Sequence, residues 1–388
     1  MPTYIRTRHP QPPTANRQPP TSSMPPLLIV LDLPSRGGAE TQAGYLAKGL
    51  VERGYEVHIL FFIPGYTEEL ERFKEAGAQV HYTGFRSKLL IPPFAGLRAN
   101  LRYALYQTKL VLQIRKIKPE IIIPFTYPPN IILSRCWKWT KAKKCFWNQR
   151  DEGRMFLGRD FEVKALNNTT AIISNSKEGA LFLQNYTTKE IHIIHNGVLV
   201  PEISATPNAS GIINVVMVAN LHGYKDYLTL LKAWKMVFET IGSVKAVLKL
   251  AGKEGSTAEE IRAFIAENNI SDSVQLLGQV KNINVLLKEC HIGVFSSVKE
   301  GVPNGVLECM AMGLPLVSTN ITGTKEALGL DYPYFSEKKD PTSLANHLLQ
   351  FINDADLRQH VGQMNRGRVI REFSMAKMVK KYEDFLSS

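Results

Sequence analysis

Short apolar runs recur along this chain, each closed by a turn and most followed by a segment of helical period, and that alternation leaves few folds open. Strand-length runs are read at Pro26–Asp32, Glu56–Phe62, Gln79–Tyr82, Glu120–Pro124, Lys144–Asn148, Ala171–Ser174 and His192–His195. A strand, a helix and another strand in repetition imply parallel strands, and the crossover helices then cover both faces of the sheet. Residues 200–211, VPEISATPNASG, have the composition of a linker, and beyond them the pattern begins again at Val215–Ala219. Further strands end in glycine at Gly252 and Gly278, and Ile292–Phe295 reads as a buried strand. With 388 residues and roughly 150 per domain, two domains are expected.

The first run opens a strand, a glycine-rich turn (Pro34 to Gly38) and a helix with Ala39, Ala43, Leu46, Ala47 and Leu50 on one face, stopping at Gly54. The turn lacks the G-x-G-x-x-G of a nicotinamide enzyme. Apolar content of 44% with 21% charged residues is ordinary for a globular chain, and no apolar run reaches the 18 residues that would suggest a bilayer span. Cys136, Cys145, Cys290 and Cys309 have no C-x-x-C spacing, so buried free thiols in a reducing cytoplasm are expected. Residues 1–26 hold eight prolines and no apolar signal segment, which reads as a disordered tail, and Met24 begins a stretch that looks like a start.

Phe295–Lys325 carries the chemistry. Glu300 and Glu308 are separated by a Gly-Val-Pro-Asn-Gly turn between a strand and a helix read at Val306–Met312, with Asn304 as its N-cap. Such a loop faces ligands at the carboxyl end of a sheet, where helix amides meet anions. Glu308, one turn beyond Asn304, can accept hydrogen bonds from vicinal hydroxyls such as those of a ribose, and Glu300 faces another part of the same ligand. The frame E-G-x-P-x-G-x-x-E, followed by MAMGLPLVST and GTKEAL, resembles the E-x7-E signature of retaining glycosyltransferases of family four.

That resemblance implies the GT-B fold: α/β, two Rossmann-like domains with parallel sheets facing across a cleft. The expected boundaries are 27–198 for an acceptor-side domain, 199–211 for the linker and 212–373 for the donor domain. A last helix over 374–388 crosses back to the first domain. The resemblance further implies a nucleotide-sugar donor, with Gly37 and Gly38 close to its phosphates, Glu40 capping the following turn, and backbone groups at Gln279 and Val280 near the base. The family usually has an arginine and, five residues later, a lysine on the diphosphate. Lys225 matches the lysine, but Asn220 stands at the arginine position, with His222 nearby. The histidine often found after the strand ending at Pro124 is also missing, replaced by Phe125 and Thr126. Lys225, the amides of Gly301 and Val302 and the helix start at Asn304 are expected to stabilise the leaving diphosphate, Glu300 to orient the sugar as the catalytic residue, and Glu308 to hold the ribose. A retaining hexosyltransferase with front-face attack needs no dedicated nucleophile.

No metal and no cofactor is expected: Asp354-Ala-Asp356 has the spelling of a metal site but the position of a helix cap. Arg150 and Asp151, after another strand, are candidate acceptor-side groups for a glycan or lipid-linked acceptor. A nucleotide-sugar 2-epimerase of the same fold and a non-catalytic sugar-nucleotide-binding protein are the alternatives. The net charge of +12 is concentrated: residues 76–150 contain fourteen Lys and Arg against one acid, Glu120. No nucleic-acid-binding motif accompanies them. Arg98, Arg102, Lys109, Arg115 and Lys116 lie on or beside a helix read through Leu97, Leu101, Leu105 and Leu112, which suits an anionic membrane surface. The expectation is a cytoplasmic, peripheral enzyme of surface polysaccharide or glycolipid synthesis.

Overall fold

The computed structural model describes residues 24–387 apart from 35–36, 66, 203, 206–210 and 243–244. The expected tail lies outside the described residues as far as residue 23, as do Ser35 and Arg36 of the first turn and part of the expected linker. Strands β1 (Leu27–Leu31), β2 (Val57–Phe61), β3 (Gln79–Tyr82), β4 (Ile121–Pro124), β5 (Lys144–Gln149), β6 (Ala171–Ser174) and β7 (Ile191–Ile193) form one parallel sheet in the order β3-β2-β1-β4-β5-β6-β7. Strands β8 (Ile212–Val218), β9 (Lys245–Ala251), β10 (Val274–Gly278), β11 (Ile292–Phe295), β12 (Leu316–Thr319) and β13 (Phe335–Ser336) form a second, in the order β10-β9-β8-β11-β12-β13. The chain therefore has the expected two Rossmann-like domains.

The run LLIVL is central because all five of its side chains are buried. Leu27, Ile29 and Leu31 point into one apolar layer, Leu28 and Val30 into the other. Full burial of such a side chain stabilises the fold by about 1.5–3 kcal/mol, a gain on both faces that only a covered sheet allows. The first layer contains Ala43, Leu46, Ala47 and Leu50 of the helix Gly38–Glu52, together with Met378, Val379, Tyr382 and Leu386 of the helix Met375–Ser387. The last helix thus crosses back onto the first sheet. Its entry is pinned where Val198 N donates to Phe373 O (2.9 Å) and Met375 N to Val198 O (2.8 Å).

The second layer takes Leu110, Val111 and Ile114 of the helix Gly96–Ile117. The leucines that defined this helix in the sequence point the other way: Leu97, Leu101, Leu105 and Leu112 are 74%, 62%, 53% and 51% exposed. In both sheets the strand order reverses next to the first strand, between β1 and β4 and between β8 and β11. Connections leaving such neighbours diverge to opposite faces and open a crevice at the strands' carboxyl ends.

Candidate functional site

The two crevices merge into one cleft of about 570 Å³. From the first domain it is lined by Gly37 and Gly38 after β1 and by Arg150 and Asp151 after β5. From the second come Asn220 and Lys225 after β8, Gln279 and Val280 after β10, and Glu300, Gly301, Val302, Asn304 and Glu308 after β11. Every residue assigned in the sequence to the donor or to the acceptor side borders this one space.

The loop after β11 is held by its neighbours. Asp226 N donates to Ser296 O (3.1 Å), Val298 N to Tyr224 O (3.0 Å) and Ser297 Oγ to the same carbonyl (2.8 Å). This lacing sets Lys225 against Glu300 in an ion pair whose side chains are only 10% and 12% exposed. The ammonium also lies 4.5 Å from the Phe295 ring centroid and 5.3 Å from that of Tyr224. Burial holds the Lys225 ammonium below the usual lysine range, while the Glu300 carboxylate acts in the opposite direction.

Two glycines allow this geometry through close approach. A Cβ at Gly305 would overlap the Val218 carbonyl oxygen at the end of β8, and one at Gly323 would overlap the Gly301 carbonyl. The helix Asn304–Ala311 can therefore rest directly on the strand end. Its N-cap is Pro303, not Asn304, and the Asn304 side chain caps nothing. Asn304 Oδ1 instead accepts from Asn196 Nδ2 (2.7 Å) and Gln42 Nε2 (3.3 Å), while its Nδ2 donates to Gly38 O (3.3 Å). These bonds to the first domain and the crossover between the domains compete successfully for the amide. Glu308 accordingly falls in the second helical turn. It is half-buried, and burial pushes its carboxyl up to about 7. Burial, with the charge of Glu308 adding to it, pushes the nearby Tyr45 hydroxyl up to about 12.

On the first-domain side, Arg150 Nη2 donates to Asn196 Oδ1 (2.6 Å) and its guanidinium lies 5.0 Å from the Phe125 ring centroid. Asp151 Oδ1 accepts from Gln149 Nε2 (2.6 Å) and Gly153 N (2.8 Å), so it shapes its own loop. Asn220 Oδ1 accepts from Lys253 N (2.9 Å), and His222 is absent from the cleft lining. Sequence reasoning assigned no site role to five participants. Gln42 and the Asn196-Gly197 turn are joined by two 2.8 Å bonds, Gln42 Nε2 to Gly197 O and Gly197 N to Gln42 Oε1. Arg154 lies 3.7 Å from the Tyr224 ring centroid and completes the list with Tyr224 itself. Two signals were available in the sequence, a polar Gln42 on an otherwise apolar helix face and the sharp turn spelled by Asn196-Gly197.

Asp354 accepts from Leu357 N (2.8 Å) as a helix cap, as expected from its position. The four cysteines are free and buried. Among the described residues no group of three or more His, Cys, Asp or Glu is placed to hold a metal ion. The cleft thus joins a buried lysine, a helix amino-terminus, loop amides and two carboxylates, a set suited to a ligand with both anionic and hydroxyl groups.

Comparison with known proteins agrees with this chemistry. Residues 36–200 match the family model described as Glycosyltransferase Family 4, and residues 213–354 the one described as Glycosyl transferases group 1. N-acetyl-alpha-D-glucosaminyl L-malate synthase of Bacillus anthracis is 28% identical over 170 residues, 44% of each chain. The UDP-Gal:alpha-D-GlcNAc-diphosphoundecaprenol alpha-1,3-galactosyltransferase of Escherichia coli is 26% identical over 170 residues, 43% of each chain. The chain spans about half the length of the curated relatives it matches. In fold it is similar to Anabaena Alr3699/HepE, solved in complex with UDP and glucose, with a TM-score of 0.78 and 16% identity over 94% of this chain and 100% of that one.

Proposed function

We propose that this chain, whose two halves match glycosyltransferase family models in succession, moves a hexose from a nucleoside-diphosphate sugar to a glycan or lipid-linked acceptor with retention of anomeric configuration. The observation that carries the reading is the convergence of Lys225, Glu300, Glu308 and the amino-terminus of the helix Asn304–Ala311 in one cleft. Glu308 accepts the ribose hydroxyls, and the backbone at Gln279 and Val280 borders the base. Lys225, the Gly301 and Val302 amides and the helix start offset the charge that develops on the diphosphate as the anomeric C–O bond breaks. Glu300 orients the sugar. The acceptor hydroxyl attacks from the face the diphosphate leaves, and its proton passes to the departing phosphate oxygen. No step calls on a metal. The UDP bound to the Anabaena structure and the polyprenyl-diphosphate acceptor named for the Escherichia coli relative support the two substrate classes.

The acceptor reading extends to a membrane surface. The exposed leucines of the helix Gly96–Ile117 share it with exposed Arg98, Arg102, Lys109, Arg115 and Lys116, and Arg115 Nε donates to the carbonyl of the exposed Trp139 (2.7 Å). Near an anionic bilayer each engaged cation contributes about 1 kcal/mol, and the leucines and tryptophan suit the interface. The enzyme then works peripherally on the cytoplasmic leaflet, in surface polysaccharide or glycolipid synthesis. Among the described residues no helix is long and apolar enough to cross a membrane.

The deciding experiment incubates the protein with UDP, GDP and ADP sugars and a lipid-linked acceptor, and reads product and anomeric configuration by NMR. Transfer with retention is expected. Inversion refutes the mechanism, and release of a free 2-epimer with no transfer refutes the assignment. Sedimentation with anionic vesicles at low salt, abolished by replacing Leu101 and Leu105 with glutamate, tests the membrane surface. Indifference to anionic lipid overturns it.

A further inference from the structure

We propose that Arg154 supplies the cation missing at the Asn220 position, so that the diphosphate is gripped by one cation from each domain, Arg154 from the first and Lys225 from the second. The inference rests on the reading of the cleft as a nucleoside-diphosphate site. A diphosphate carries more charge than one lysine balances, and Lys225 is already paired with Glu300. Asn220 is uncharged, and its side-chain oxygen is committed to the Lys253 amide. His222 stays outside the lining, whereas Arg154 borders the same space as Lys225.

The geometry around Arg154 fits this role. Its Nε and Nη2 donate to Glu152 Oε1 and Oε2, both at 3.0 Å, in a fork that fixes the guanidinium plane. Glu152 is the buried anchor at 3% exposure and Arg154 the accessible end at 35%. The guanidinium lies 3.7 Å from the centroid of the Tyr224 ring, and the Lys225 ammonium 5.3 Å from the same centroid. One aromatic ring of the second domain thus collects a cation from each domain. Each cation is matched by a carboxylate of its own domain, Glu152 or Glu300, and an entering diphosphate exchanges these pairings for its own oxygens. Arginine suits the exchange because its planar fork meets phosphate oxygens two at a time. Since Arg154 is carried by the first domain, diphosphate binding also ties the two domains across the cleft.

Calorimetric titration of the full chain with UDP, GDP and ADP, and with the matching nucleosides, provides the test. Arg154→Ala is expected to weaken the diphosphate that wild type binds by about tenfold or more, and to leave the nucleoside unaffected. Arg154→Lys recovers part of the loss, and adding Asn220→Arg to Arg154→Ala recovers it by restoring a cation at the vacant position. Glu152→Gln, which weakens the competing carboxylate and leaves the arginine in place, tightens the diphosphate. Undiminished diphosphate affinity in folded Arg154→Ala overturns the proposal, as does an equal loss from Glu152→Gln. If wild type binds none of the three diphosphates, the reading of the cleft fails with it. If wild type binds and Lys225→Ala alone loses the diphosphate, that reading stands and only the role of Arg154 falls.

Discussion

Replacing Glu308 with glutamine separates what the fold prefers at this position from what a nucleotide requires. Burial raises the carboxyl from 4.5 to about 7, so the folded chain binds that proton more tightly than the unfolded chain does. At about 1.4 kcal/mol per unit, roughly 3 kcal/mol of stability that is present below the unfolded value is lost as pH rises through the folded one. Glutamine cannot ionise and escapes the loss. The variant is therefore expected to be more stable than wild type by about 3 kcal/mol near pH 8 and by about 1.4 kcal/mol near pH 5.5. Near pH 8 this corresponds to a melting temperature roughly 6–12 °C higher, if the second domain melts as a unit of its own. Nucleotide affinity moves the other way. On the proposed ribose contact, the hydroxyls lose a charged acceptor worth about 1.5–3 kcal/mol, a loss of roughly tenfold to a hundredfold. For the same reason wild-type affinity rises with pH through about 7, and binding near that pH releases a proton. Melting curves at the two pH values, with and without the nucleoside diphosphate, read both effects. Equal stability of variant and wild type near pH 8, or a nucleotide affinity that the substitution leaves intact, refutes the reasoning.

Lys225→Ala leaves the nearly buried Glu300 carboxylate without its cation, and urea unfolding should show a loss of about 3–5 kcal/mol, much of it recovered when Glu300→Met accompanies Lys225→Met. Glu300→Gln is expected to lower turnover far more than affinity for the free diphosphate; equal losses would remove it from the sugar. Gly305→Ala forces a methyl group onto the Val218 carbonyl and must displace the helix Asn304–Ala311, with a stability loss of about 1–3 kcal/mol and weaker nucleotide binding, both measurable by thermal shift.

The sequence by itself determined the layering and the two carboxylates and loop of the candidate site. LLIVL can be satisfied only between two covered faces, and repeated strand-helix units can close only as parallel sheets. Glu300, Gly301, Asn304, Gly305 and Glu308 lie on one short loop and helix, so their spacing alone put both carboxylates beside one strand end. Tertiary structure decided where individual side chains finally point. Asn304 had the residue type of an N-cap, yet its amide went to Asn196 and Gly38, partners more than a hundred positions away. The leucines of Gly96–Ile117 could have faced either the fold or a bilayer surface, and packing decided it: Leu110, Val111 and Ile114 took the sheet and left them exposed. Arg154 reached Tyr224, and Gln42 reached Gly197, across distances in the chain that no local period records. The elevated proton affinity of Glu308 likewise arises from the removal of water by packing. Periodicity fixes which faces must be buried, because backbone geometry repeats locally; polar partners and desolvation depend on which distant segments arrive, and only the packed chain brings them together.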